Sequence, residues 1–440
     1  MKNCWIKFFG LMVIMSFWAV PGVARAGYDY VDISQPFLRK IPIAVPFFKK
    51  VSSGHETDQL SKSASDLLAE TLEFTGYFKF IDREAFLVNP QTDAAFASVN
   101  FHDWTSIGAE LLVTGGVQVQ DNLVEIELRL YDTFKEKLLV GKRYKGNIAD
   151  ERRIIRRFCS EVIYTLTGDR GIFDTEISFV STGSGNKEIY TCEFDGYNPR
   201  QLTHTKSITL SPAWSSDGEW IAYTSYEKGK PDLYIKNLRE NRGYVVAKKG
   251  INTTPAWFPN KFELAATLSF SDDPEIYLLT GTGKIIKRLT YNKGIDVSPT
   301  WSPDGKSIAF VSKRSGTPQI YIQNVDSGQV KRLTFQGRYN TQPAWSPKGD
   351  KMAYSGMENG HNDIFVIGFD GQDPIQLTHN EGDNESPSWS PDGNLIVFAS
   401  TREGPSRIYA MTSYGTDQRR LLSLKGRQTE PKWSPRMVNK

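Results

Sequence analysis

Short apolar runs recur through the second half of the chain, and glycine, proline, asparagine or aspartate bounds each of them. Typical runs are 221–225 (IAYTS), 308–312 (IAFVS) and 396–400 (IVFAS). They are brief and rich in aromatic side chains, and no stretch in this half keeps the spacing of an amphipathic helix for long. The pattern therefore predicts short β-strands joined by tight turns.

These strands belong to a repeat with a period of 43 or 44 residues. Four short strands in about 40–45 residues are the pattern of a propeller blade, and one blade cannot bury both of its faces alone. Six units therefore predict a six-bladed β-propeller, expected over residues 172–436. The repeat is marked by a proline two residues before each of six tryptophans, which are Trp214, Trp257, Trp301, Trp345, Trp389 and Trp433.

The ends of the repeat predict how the ring closes. The first apolar run, 177–181, has no Pro-x-Trp strand before it, and Trp433 has no apolar run after it. The last strand should therefore complete the blade that begins at Ile177, which removes the exposed edges of an open array. We expect the proline and tryptophan positions to be scaffold, and function to lie in the loops that the scaffold holds.

Residues 27–168 predict a separate α/β domain in front of the propeller. The apolar positions Leu60, Ala64, Leu68 and Leu72 recur at helical spacing. The predicted helices are 58–76 and 149–167, and the predicted strands are 41–48, 77–81, 111–118, 124–131 and 137–144. The segment 168–171 (GDRG) is the expected hinge into the ring.

The first 26 residues predict a cleavable export signal. Lys2 and Lys7 precede an apolar stretch at 8–20, and Ala24-Arg25-Ala26 supplies a small-x-small site. Cleavage is expected between Ala26 and Gly27. The stretch is too short to span a bilayer comfortably, and nothing later reaches about 18 apolar residues, so we expect an exported, soluble mature protein.

Charge and cysteine content narrow the expected partners. Without residues 1–26 the chain has 50 basic and 50 acidic residues, and a net charge of zero argues against nucleic-acid binding. We expect a monomer. Beyond Cys4 in the signal, Cys159 and Cys192 are expected to be buried thiols, although a bridge between them is compatible with the sequence.

No catalytic motif stands out in the sequence. There is no Gly-x-Ser-x-Gly elbow, no phosphate-binding glycine loop, and the five histidines lack metal-ligand spacing. We therefore expect no enzyme activity, no cofactor and no metal.

The candidate binding residues are identified by their position in the repeat and not by a motif. The loop before each innermost strand opens at the mouth of a propeller channel, so polar residues shortly before each proline are expected to ring that mouth. Mostly uncharged side chains suit hydrogen bonding to a polypeptide; a solvated loop with no binding role is the alternative. The position directly before the proline holds Ser211, Thr254, Ser298, Gln342, Ser386 and Glu430, and the position three before it holds Thr209, Asn252, Asp296, Asn340, Asn384 and Gln428.

Several motifs together resemble the TolB family of periplasmic proteins. They are the export signal, 43–48 (IAVPFF), the junction 166–181 (LTGDRGIFDTEISFVS) and the blade strings such as 298–305 (SPTWSPDG). The resemblance covers the whole chain and departs from the blade pattern locally, for example at 258–261 (FPNK). The Pro-x-Trp blades alone are also similar to those of propeller peptidases.

The resemblance implies a non-catalytic adaptor of the Tol-Pal envelope system, peripheral to the membranes, that supports outer-membrane integrity and cell division. It implies that the lipoprotein Pal docks at the channel mouth, and that an N-terminal arm contacts the inner-membrane protein TolA. The arm is Tyr28, Asp29, Tyr30, Val31 and Asp32. The alternative is an exported propeller enzyme, or a sugar- or peptide-binding propeller, that uses the same mouth.

Overall fold

The computed structural model describes residues 39–87, 99–240, 242–270, 273–358, 360–369, 373–379 and 381–437. The predicted export signal, its cleavage point and the predicted N-terminal arm lie outside these residues. Within them, no helix combines the length and apolar character needed to cross a membrane.

The N-terminal domain is a mixed sheet covered by helices, in the strand order β3-β1-β4-β5-β6, with β2 pairing β4. Strand β1 runs parallel to β3 and β4, and the β4-β5-β6 meander is antiparallel. Helix α1 buries Leu60, Ala64, Leu68 and Leu72 in the core, as its spacing predicts. The strands are β1 Ile41–Ala44, β2 Lys49–Lys50, β3 Phe78–Phe80, β4 Leu111–Gln120, β5 Leu123–Asp132 and β6 Lys137–Asn147, and the helices are α1 His55–Glu73, α2 Phe101–Ser106 and α3 Glu151–Thr167, with short 3-10 turns at Arg83–Ala85 and Ile148–Asp150.

The predicted elements of this domain are found within a few residues of their expected ends, with one exception. The predicted strand 41–48 stops at Ala44 and resumes only as the two-residue β2. Pro46 lies in the interruption, and a proline has no N–H to donate to a strand ladder.

Six four-stranded antiparallel sheets form the propeller. Each sheet is numbered as a blade, and the Pro-x-Trp strand is at its inner edge. The strands are, in blade 1, β10 Thr209–Trp214, β11 Trp220–Ser225, β12 Asp232–Asn237 and β13 Gly243–Val246; in blade 2, β14 Asn252–Trp257, β15 Glu263–Leu268, β16 Glu275–Thr280 and β17 Ile285–Arg288; and in blade 3, β18 Asp296–Trp301, β19 Ser307–Ser312, β20 Gln319–Asn324 and β21 Val330–Arg332.

The remaining blades repeat this arrangement, and the sixth is made from both ends of the propeller sequence. Blade 2 has its four strands despite the altered turn at 258–261. The strands are, in blade 4, β22 Tyr339–Trp345, β23 Lys351–Glu358, β24 His361–Gly368 and β25 Ile375–Gln376; in blade 5, β26 Asn384–Trp389, β27 Leu395–Ser400, β28 Arg407–Thr412 and β29 Arg419–Arg420; and in blade 6, β30 Gln428–Trp433, β7 Glu176–Ser181, β8 Glu188–Glu193 and β9 Arg200–Gln201.

Ring closure follows the sequence prediction. Strand β30 pairs antiparallel with β7, so that Gln428 lies opposite Ser181 and Trp433 opposite Ile177. The Trp433 indole also donates a 2.8 Å hydrogen bond to the Thr175 hydroxyl. The last strand therefore completes a blade whose other strands lie about 250 residues earlier in the chain.

The repeated tryptophans join neighbouring blades, as expected of scaffold. The Trp257 indole N–H donates to the Ala213 carbonyl of the preceding blade at 3.1 Å, and Trp301 donates to Ala256 at 3.1 Å. Trp214 and Trp389 make the same bond to Lys432 and Ala344. Four of the six tryptophans thus hydrogen-bond to the inner strand of the neighbouring blade. We call these four bonds the tryptophan latches.

Cys159 and Cys192 are both buried and both free. The expectation of two buried thiols is confirmed, and the bridge between the two domains that the sequence left open does not form.

Candidate functional site

The six inner strands surround a central channel with two distinct ends. We call the end where the inner strands begin the open end, and the end where they finish the tryptophan end. At the tryptophan end the channel contains a cavity of about 360 Å³, and its wall includes the tryptophans of all six blades.

The N-terminal domain packs on loops at the tryptophan end. Lys40 pairs with Asp417 at 2.8 Å, and the Asn394 amide donates to the Tyr77 hydroxyl at 2.5 Å. Phe74 packs edge-on against Phe194 with the ring centres 5.3 Å apart. These contacts lie on turns that follow the first or third strand of a blade. These turns belong to blades 5 and 6, and no residue of the N-terminal domain is among those that line the cavity at this end.

The residues three before each proline are not on the surface of the mouth. Each of the six is at most 2% exposed, so the prediction that their side chains ring the mouth is corrected by the structure. Asn252 donates to the Lys248 carbonyl at 2.8 Å, and Asn340 donates to the Gln336 carbonyl at 2.7 Å. The buried set is Thr209, Asn252, Asp296, Asn340, Asn384 and Gln428.

These buried side chains hold the loop that leads into each inner strand. Asp296 pairs with Arg314 at 2.8 Å, and Asn384 donates to Asp363 at 3.0 Å. Gln428 donates to the Gly426 carbonyl at 2.9 Å. A buried polar group needs such partners, which explains why the position is polar in all six blades.

The residues directly before the prolines lie on the channel wall, in a strained backbone conformation. All six have φ between 47° and 58°, a region that residues other than glycine seldom occupy. Each inner strand also has a register shift here, as between Thr253 and Ala256 in blade 2, which is the mark of a β-bulge. The six residues are Ser211, Thr254, Ser298, Gln342, Ser386 and Glu430.

In blades 1 and 5 the backbone N–H of the bulge residue points to the neighbouring blade. The Ser211 N–H donates to the Glu430 carboxylate at 2.6 Å, and the Ser386 N–H donates to the Gln342 side-chain carbonyl at 2.8 Å. Only the two long side chains of the set make this bond between neighbouring blades, among the residues described. Thr254 instead bonds through its hydroxyl to the Thr267 hydroxyl of its own blade at 2.7 Å, and Ser386 is only 5% exposed.

The position four before each proline forms a rim that our sequence reasoning missed. Ile208, Ile251 and Tyr339 are 44%, 39% and 44% exposed. Ile295 occupies the same position in blade 3 and is half-buried. We call Ile208, Ile251, Ile295 and Tyr339 the apolar crescent. The sequence repeat carried a signal for this rim, because the position directly before the buried polar residue is apolar in blades 1–4.

The crescent is held by the backbone of its own blades. The Ile208 carbonyl accepts from the Tyr226 N–H at 2.9 Å, and the Ile251 carbonyl accepts from the Ser269 N–H at 3.1 Å. The Ile295 carbonyl accepts from the Lys313 N–H at 3.1 Å. These side chains are therefore exposed on a fixed framework.

Blades 5 and 6 make the other side of the mouth charged. Asp383 and Arg427 occupy the rim position there, and Glu385 lies one residue beyond the buried Asn384. Burial, together with the neighbouring Asp383, raises the pKa of Glu385, although the Asn362 amide donates to it at 2.7 Å. The mouth is therefore apolar on one side and acidic on part of the other.

Metal binding finds no support at the mouth or elsewhere in the described residues. Within those ranges no group of three or more histidine, cysteine, aspartate and glutamate side chains is arranged to hold a metal ion.

Comparisons with known proteins agree with the two-domain architecture. The model of the TolB amino-terminal domain matches residues 29–139, and the model of the TolB beta propeller domain matches residues 163–437. The crystal structure of TolB from Acinetobacter baumannii is 27% identical, with a TM-score of 0.79 over 90% of this chain and 97% of that one.

Curated relatives carry the same family name. The Tol-Pal system protein TolB of Desulfosudis oleivorans is 57% identical over 281 residues, 64% of each chain. The protein TolB homolog of Chlorobaculum tepidum is 44% identical over 248 residues, 56% of each chain. The chain thus spans a little under two thirds of the first relative and just over half of the second. Because the propeller model alone matches well over half of its residues, this chain belongs to the TolB family.

Proposed function

We propose that this protein is a periplasmic adaptor of the Tol-Pal system that binds the lipoprotein Pal at the open end of its propeller. The name of the Desulfosudis relative supports the system, and the predicted export signal supports the compartment. In this proposal the mature chain begins at Gly27, residues 27–168 form the first domain, and 172–436 form the propeller. The adaptor has no catalytic role and supports outer-membrane integrity and cell division.

The apolar crescent is the observation that carries the proposal. Exposed apolar side chains that lie together on a rigid surface favour protein contact, because their burial releases ordered water without an ordering cost. Tyr291 and Phe335, which lie four residues before Ile295 and Tyr339 in the sequence, are also highly exposed. Aromatic residues of this kind are frequent among those that dominate binding energy.

The charged side of the mouth gives the proposed contact its orientation. Charges at the rim of an interface steer association and set register more than they add affinity. Asp383, Glu385 and Arg427 would serve in this way, while the crescent supplies most of the affinity. The wall residues Thr254 and Ser298 are half-buried below the rim and would hydrogen-bond only to a side chain that enters the channel.

The second part of the proposal concerns TolA. We propose that the N-terminal arm, residues 28–32, contacts TolA. This part rests on the family resemblance, because the arm lies outside the described residues.

Calorimetric titration with soluble Pal from the same organism tests the main proposal. Ile208→Asp and Ile251→Asp should each weaken binding at least tenfold, because a carboxylate then replaces buried apolar area. Matched controls are Ile286→Asp and Ile285→Asp on the outer strand β17, where the exposures of 46% and 37% are close to those of the crescent residues. The controls should change the affinity by less than twofold.

Two results would overturn the proposal. Equal weakening by the crescent and control variants would remove the crescent from the interface. No binding by a folded protein would instead favour the alternative functions, to be pursued by screening sugars and peptides as ligands and by testing for hydrolysis.

A further inference from the structure

One ring of the channel wall is interrupted by a single charged side chain. The residue between the proline and the tryptophan faces the cavity at the tryptophan end in every blade. Five blades place a small residue there, and blade 6 places a lysine. The six residues are Ala213, Ala256, Thr300, Ala344, Ser388 and Lys432.

Lys432 is the only charged residue among those that line this cavity. Its ammonium makes no hydrogen bond or ion pair with any residue that the structure describes. Two fully buried carboxylates of the propeller are paired, Asp296 with Arg314 at 2.8 Å and Glu275 with Arg288 at 2.6 Å. Lys432 differs from them because it is half-buried, and its ammonium is not among the buried side-chain nitrogens that lack a partner. It therefore offers an uncompensated positive charge to the open space of the channel.

The acidic residue nearest to Lys432 in the sequence does not pair with it. Glu430 lies two residues away, but its carboxylate accepts from the Ser211 N–H at 2.6 Å and the Ser211 hydroxyl at 3.3 Å. It is therefore directed to blade 1. Burial lowers the pKa of Lys432, and the charge of Glu430 acts in the opposite direction without reversing the shift.

We propose that the cavity at the tryptophan end binds a small carboxylate through the Lys432 ammonium. The remaining lining residues are uncharged, so the site offers one positive charge, which matches a carboxylate and not the higher charge of phosphate. Thr300 and Ser388, at the same level of the wall, add hydroxyl groups that hydrogen-bond to carboxylate oxygens. The volume of about 360 Å³ admits a small organic acid.

This site is separate from the proposed docking surface. Lys432 lies toward the tryptophan end of its inner strand, whereas the apolar crescent lies at the open end. The carboxylate site therefore does not depend on whether Pal binds at the mouth.

Lysine NMR and thermal unfolding test the proposal on the intact protein. Lysines are labelled by reductive ¹³C-methylation, which keeps their charge, and chloride is replaced by acetate or by phosphate at constant ionic strength. Lys432→Met identifies the resonance and serves as the variant without the site. Lys331→Met, at an exposed position on β21, is the matched control.

Acetate should shift the Lys432 resonance saturably, leave that of Lys331 unchanged, and raise the unfolding temperature of the wild type and of Lys331→Met but not of Lys432→Met. If labelling does not reach Lys432, the unfolding temperatures alone decide. Equal responses in all three proteins would overturn the proposal, because Lys432 would then be an ordinary solvated lysine. Tighter binding of phosphate than of acetate would overturn the assignment of a carboxylate.

Discussion

The tryptophan latches predict that tryptophan-to-phenylalanine substitutions at two positions, 389 and 345, lower the stability of the protein by different amounts. Trp389 donates its indole N–H to the Ala344 carbonyl at 2.9 Å. The Trp345 indole nitrogen is buried but has no hydrogen-bond partner among the described residues. Replacing either tryptophan by phenylalanine removes one indole and similar apolar area, but only Trp389→Phe breaks a bond between blades.

The size of the difference follows from the cost of the broken bond. A hydrogen bond contributes about 0.5–1.5 kcal/mol net, and an acceptor left without a partner costs about 1–3 kcal/mol. Channel water reaching the Ala344 carbonyl would place the result at the lower end. We therefore expect Trp389→Phe to destabilise the protein by about 1–3 kcal/mol more than Trp345→Phe. With a shift of about 2 °C per kcal/mol in a domain of this size, the melting temperatures should differ by about 2–6 °C.

Scanning calorimetry of the wild type and both variants, in one buffer and at one scan rate, measures this difference. Urea unfolding followed by circular dichroism provides an independent check through the transition midpoints. An equal loss of stability in the two variants, or a larger loss in Trp345→Phe, would refute the latch. The tryptophans would then stabilise the ring by apolar burial alone.

Two further predictions concern the mouth and the ring closure. Because burial raises the folded-state pKa of Glu385, its ionised form costs stability at neutral pH and its protonated form does not. Glu385→Gln, which keeps an acceptor for Asn362, should raise the melting temperature at pH 7, and the gain should vanish as the pH falls below the ordinary glutamate value; a gain that does not depend on pH would contradict this. Ending the chain after Arg427 removes β30 and exposes the edge of β7, so the truncated protein should aggregate or be cleaved rapidly in limited proteolysis, whereas a compact, resistant monomer would show that closure is dispensable.

Sequence alone predicted the parts of the architecture that repeat. The spacing of Trp214 to Trp433 predicted six blades, and the offset between residue 177 and Trp433 predicted the closing pair of β30 and β7. Both are confirmed. The six blades were predictable because the strands and turns of each repeat are encoded within some 44 residues, and the closing pair was predictable because the first and last repeats are each incomplete in the sequence. The helices of the first domain were predictable for the same reason, since their apolar period of 3.6 is a local property.

The candidate site was predictable only in part. A polar residue satisfies its hydrogen bonds equally well in water or against a buried partner. The pattern therefore did not distinguish the wall residue Thr254 from the buried Asn252, which lies two positions earlier. The apolar crescent was visible in the same register, but its exposure depends on where the loop meets the channel.

The sequence by itself determined that this chain is a closed ring of six blades behind an α/β domain, because local strand and turn patterns fix each unit. Only the tertiary structure decided which polar residues are buried, that the apolar crescent is exposed, and that Lys432 lies in the channel without a partner among the described residues. Those properties depend on contacts between blades that are far apart in the sequence, as does the packing of the N-terminal domain on turns of blades 5 and 6.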